Sequence, residues 1–154
     1  MRTGNEVGIL YLLRFERELL MDLLYAINSI LENDSLDSGD IDSDKCEHIE
    51  NLIPLYGWKA VQKNLLDILS QEKREIRDYE VVAEVFWGAV LDRRNIASTN
   101  KVIALLYHRL PNDKNSDENN LAWSIACKLK KVDYLSDYNP MNDSEIIEEL
   151  NLLR

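Results

Sequence analysis

The chain has 154 residues, enough for one domain with a single substantial core. Its 45% hydrophobic and 30% charged residues exclude the disordered class, and five glycines with three prolines are too few for a turn-rich all-β protein. With 28 acidic against 18 basic side chains the net charge is −10, which argues against a free-standing nucleic-acid binder and against docking on anionic lipid, since both need a surplus of Lys and Arg.

The pattern of apolar residues predicts helix after helix. Over residues 9–31, Leu12, Phe15, Leu19, Leu23, Ala26 and Ile30 recur in steps of three or four, and Leu13, Leu20, Leu24, Ile27 and Leu31 widen the stripe. A face this wide implies burial against more than one partner helix. Residues 32–44 are rich in Asp and Ser, with Gly39 among them, and read as a loop. Asp44 with Glu47 three positions on resembles a capping box for a short helix, which Pro54 is expected to end.

A helix over 58–71 follows Gly57, with Val61, Leu65, Ile68 and Leu69 inward. Asp78 is expected to cap a run to about Arg94. Ser98 or Thr99 opens a further helix, which closes at Pro111. After a polar string at 112–116, Ser116 or Asp117 caps a helix that ends among Lys128, Lys130 and Lys131, the favoured sign at a helix C-terminus. A turn at 137–142 precedes a last helix, started by Asn142 with Glu145.

These elements make an all-α, single domain of about seven helices, an antiparallel helical bundle. Apolar rows over 81–91, 102–110 and 121–129, each holding an alanine (Ala83, Ala104, Ala122), are spaced near one helix plus a turn. That spacing leaves open a set of degenerate HEAT-like helical hairpins.

The negative charge is concentrated. Residues 32–50 carry eight acids against Lys45 alone, a net of −7, while the segments on either side are nearly balanced. A local concentration is either a binding site or a solvated linker. No cleavable export signal follows the apolar stretch at 7–13, so Cys46 and Cys127 read as reduced thiols in a cytoplasmic protein.

Motif by motif, catalytic chemistry finds little support. With Gly39 in the sixth position of a calcium loop, the third position is Leu36 and the twelfth is Lys45, which repels the ion. Cys46 and His48 stand two apart, so on a helix they point in different directions, and no second ligand pair has zinc spacing. Cys127 lies in an apolar run, where a thiol acts as a core residue, and His108 lies at a helix end. Glu145, Glu148 and Glu149 lack the His partners of a di-iron site, and the glycines never cluster into a phosphate loop. No metal, cofactor or catalytic residue is therefore expected. An enzyme without a short motif would need a deep pocket lined by carboxylates such as Asp78, Glu80 or Glu84.

In size, acidity and lack of a catalytic motif, the chain resembles the immunity proteins of bacterial polymorphic-toxin and contact-dependent growth inhibition systems. The resemblance lies in overall character and carries over no residue. It implies a non-catalytic inhibitor that neutralises a cognate toxin domain, basic and of nuclease type. Under that reading Asp34, Asp37, Asp40, Asp42, Asp44 and Glu47 face the toxin. Tyr56 or Trp58 is then an aromatic anchor, although Trp58 equally suits a staple at the start of its helix. The alternative is a helical-repeat scaffold or adaptor that holds a peptide or protein in a groove.

Overall fold

Helix formation follows the apolar spacing, and the packing then selects which row turns inward. The computed structural model describes residues 22–33, 41–110, 120–133 and 138–153, with the side chains of 41–43 and 120 left aside. Residues 9–21 of the helix expected over 9–31, the acids Asp34, Asp37 and Asp40, and the polar string 112–116 with Ser116 and Asp117 lie outside the described residues. The helices are α1 (residues 22–32), α2 (Ile41–Glu50), α3 (Ile53–Tyr56), α4 (Trp58–Ser70), α5 (Ile76–Leu91), α6 (Thr99–Arg109), α7 (Asn120–Lys130) and α8 (Ser144–Leu152). A 3-10 turn, Pro140–Asn142, precedes α8. The domain is all-α, and no strand occurs among the described residues.

The long helices form two rows. α2, α5 and α7 pack side by side in one, and α4, α6 and α8 in the other. α4 and α6 run the same way. Ala97, just before α6, donates its N–H to Gln62 near the start of α4 at 3.2 Å, while Arg109 at the end of α6 donates to the carbonyl of Leu69 at the end of α4 at 2.8 Å. α4 and α5, consecutive in the chain, run in opposite senses. Trp58 at the start of α4 meets Phe86 near the end of α5, and Tyr79 at the start of α5 donates its hydroxyl to the carbonyl of Gln71 just past α4. α4 and α5 thus form an antiparallel hairpin within the bundle. Gly57 makes the sharp link from α3 into α4 at φ +87°, a conformation that side-chain-bearing residues avoid.

α5 lies at the centre and buries Tyr79, Val81, Val82, Ala83, Val85, Phe86 and Ala89. Ala83, Ala104 and Ala122 are all buried, small residues that let helix axes approach. On α6, Val102, Leu105 and Leu106 face the main core, whereas Ile103 and Ala104 turn to a second, smaller cluster with Ala126 and Ile146.

Several boundaries differ from expectation for local reasons. Pro54 begins α3 instead of ending a helix, in the first turn where its missing N–H removes no hydrogen bond. α2 starts at Ile41, so Asp42 and Asp44 lie on a helix and the acidic loop is shorter than 32–44. Asp78 does not cap α5. Glu75 occupies that place without a side-chain bond, and Asp78 pairs with Arg74 at 3.1 Å. Asp143, one residue after the expected Asn142, caps α8 by accepting the N–H of Glu145 at 3.0 Å. α5 and α7 end on Arg93 (φ 59°) and Lys131 (φ 57°), left-handed positions usually held by glycine. The following N–H groups close each end, Arg94 onto Ala89 at 2.9 Å and Val132 onto Cys127 at 3.0 Å.

A polar clasp fastens α8. Lys130 Nζ lies 2.7 Å from Glu145 and 3.4 Å from Asp143, Asn100 donates to Glu145 at 3.1 Å, and Tyr138 donates to Asp143 at 2.9 Å. Burial alone pushes the Asp143 carboxyl up, but the Tyr138 hydroxyl, the Glu145 N–H and Lys130 outweigh it and hold it below its ordinary 3.8. Hydrogen bonds from Lys130 and Asn100 hold Glu145 below 4.5. Burial lowers Lys130, yet its two carboxylate partners raise it above 10.5.

Two outcomes follow. The lowered carboxylates contribute stability that is complete above their ordinary values of 3.8 and 4.5 and is lost as pH falls through the lower folded values. The raised ammonium contributes below 10.5 and is lost at higher pH. Amide NMR shifts of α8 should therefore stay level between about pH 5.5 and 9 and depart below about pH 4. Undocking at pH 5–6 would contradict the clasp. Separately, Arg93→Gly should raise the urea midpoint by roughly 0.5–1 kcal/mol of stability, because it relieves the left-handed backbone.

Candidate functional site

On α2 the sequence places four acids among ten residues with a single lysine. The helix turns Lys45 and Ile49 inward, and Lys45 is only 1% exposed. Its Nζ donates to the carbonyl of Leu31 at 2.6 Å, in the last turn of α1. That carbonyl belongs to the set a helix end leaves without an internal partner, and the negative end of the helix dipole favours a cation there. One base of the acidic segment is thereby withdrawn from the surface. Asp44 is half-buried and Glu47 is exposed.

The next turn of α2 lies across α5. The Glu50 side chain rests over Gly88, so closely that a Cβ at 88 would stand 2.7 Å from its Oε1. Cys46, half-buried beside it, has its thiol pushed up to about 12, first by burial and then by the negative charges of Glu50 and Glu84. Asp44, Glu47 and Glu50 therefore share one helix, with Glu84 across the seam. Glu50 belongs to the acidic segment by count, whereas Glu84, distant in sequence, joins it only through the packing of α2 on α5. Lys45 was missed because its neighbours are acidic, although its i, i+4, i+7 spacing with Ile49 and Leu52 carried the signal.

Among the other expected site residues, Asp34, Asp37 and Asp40 lie outside the described residues, and Asp42 is placed on α2 by its backbone alone. Tyr56 is half-buried against the main core. Trp58 is the staple rather than a free anchor. Its indole N–H donates to the carbonyl of Asn95 at 2.8 Å, its ring meets Phe86 edge-on at 6.0 Å, and the Arg94 guanidinium stacks over it at 5.7 Å.

Nucleophilic chemistry has no foothold at the thiols. Cys127 is fully buried and burial raises its thiol, which leaves it protonated. His48 and His108 are both exposed. Asp78 is tied to Arg74, which also reaches Gln71 and Asn28. A shallow cleft of about 310 Å³ is lined by Ile96, Ser98, Thr99, Asn100, Lys101 and Glu149, and none of Asp78, Glu80 or Glu84 contributes to it. Among the described residues no three His, Cys, Asp or Glu side chains are grouped to hold a metal ion, and no helix is long and apolar enough to cross a membrane.

Set against protein-family models, curated proteins and solved structures, the chain matches none of them.

The placement of Lys45 makes a test of the surface. Lys45→Met keeps the stem buried and leaves the Leu31 carbonyl without its donor, for a loss of about 1–3 kcal/mol in urea unfolding. Lys45→Glu sets a carboxylate against the helix end and should cost about 3–5 kcal/mol. Unchanged stability in Lys45→Glu would mean that the side chain is at the surface.

Proposed function

We propose that the protein is a non-catalytic inhibitor of the immunity type, which binds and neutralises a basic, nuclease-type toxin domain in the cytoplasm. The observation that carries the reading is the sequestration of Lys45. With that ammonium turned onto Leu31, the charges that α2 leaves outside the core are Asp44, Glu47 and Glu50, beside Glu84 on α5. A concentration of acids draws a basic partner by long-range attraction and can occupy the cleft in which that partner receives phosphate. Asp34, Asp37 and Asp40 adjoin α2 in sequence, Asp42 lies in its first turn, and together they extend the same charge.

The test is association with a basic toxin domain encoded beside the gene. Asp44→Asn, Glu47→Gln and Glu50→Gln combined should slow association about tenfold or more at low salt and flatten its dependence on ionic strength. An unchanged rate and an unchanged salt slope would overturn the acidic surface as the site.

The two-row packing of helices favours a second reading, a scaffold that holds a peptide or protein in a groove. Capture that persists at about 0.5 M salt, where exposed charges are screened within roughly 4–5 Å, would support the scaffold over the inhibitor.

A further inference from the structure

Among the described residues α8 packs on one side only, and Ile147, Glu148, Asn151 and Leu152 on its other side are exposed. α8 rests on α6 beside the end of α7, and its fully buried side chain is Ile146. Ile146 meets Ile103, Ala104 and Ala126 in a cluster separate from the main core, with Leu150 half-buried at its edge. Leu153, just beyond the helix, reaches the main core. This is little apolar burial to offset the ordering of a whole helix. Tyr107, Leu129 and Tyr138 pack at the margin of that cluster, and a polar clasp adds to the attachment: Lys130 from α7 holds Glu145 and Asp143, and Asn100 from α6 holds Glu145, at the start of α8.

We infer that α8 is a detachable end cap, which opens as one unit while the stack of α4, α5 and α6 stays folded. Its opening bares Ile103, Ala104 and Ala126, a small-residue apolar face of the kind on which the bundle packs its own helices. The clasp is the catch. Lys130 bonds two carboxylates that belong to the same helix start, so its loss leaves Glu145 on Asn100 and Asp143 on Tyr138 without their shared cation.

Hydrogen exchange of the full chain followed by mass spectrometry at neutral pH tests this. Amides of residues 147–152 should exchange together and well before those of 82–90 in α5, which open only with the whole domain. Lys130→Ala should speed exchange in α8 about 5- to 30-fold and leave α5 unchanged. Three results would overturn the inference: α8 and α5 exchanging at one common rate, rates that climb only over the last residues of α8 as in simple fraying, or α8 exchange unmoved by Lys130→Ala. If that variant does not fold, Glu145→Gln and the comparison of α8 with α5 in the unaltered chain decide the matter.

Discussion

Burial around α5 is the constraint on which the remaining packing depends. Seven of its side chains are buried, and they do not lie on one narrow stripe. No single neighbour covers such a surface. α4 lies antiparallel to it, α2 and α7 flank it in its own row, and α6 touches it from the other. Once α5 is enclosed, the two rows follow, because each neighbour must in turn bury its own apolar face. α6 repeats the pattern on a smaller scale, with one face in the main core and the other turned to α8.

Lys45 links that packing to charge. Docking of α2 on α5 turns Lys45 toward the end of α1, where the Leu31 carbonyl receives it. A buried ammonium is costly unless it is bonded, and a helix C-terminus is among the few apolar-side environments that welcome one. The same rotation that buries Lys45 and Ile49 leaves Glu47 in solvent and lays Glu50 across Gly88. The acidity of the surface is therefore a consequence of helix phase as well as composition.

Helical elements were legible because periodicity is a local property. α4 falls within one residue of its expected end, and the alanines at 83, 104 and 122 are all buried. The start signals were less dependable, because a side chain able to cap is equally able to pair. Asp78 took Arg74 instead of its own helix start. Pro54 was read as a stop although proline suits a first turn as well as it ends a helix. At the site, Asp44, Glu47 and Glu50 were legible from the charge count, whereas Glu84 and the burial of Lys45 depended on which helices met. Trp58 had two readings in the sequence, and its contacts with Phe86, Asn95 and Arg94 select the staple. Glu145 looked like one of three solvated carboxylates, and its bonds with Lys130 and Asn100 come from helices far away in the chain.

The central claim is that Lys45 lies inside and leaves an acidic surface behind it. Timed acetylation of lysines in the folded chain, read by mass spectrometry, measures this without a partner. Lys59, Lys63, Lys73 and Lys101 are exposed and should react early, while Lys45 stays unmodified after they are complete. Lys45 reacting alongside Lys59 would place its charge at the surface and contradict the acidic face.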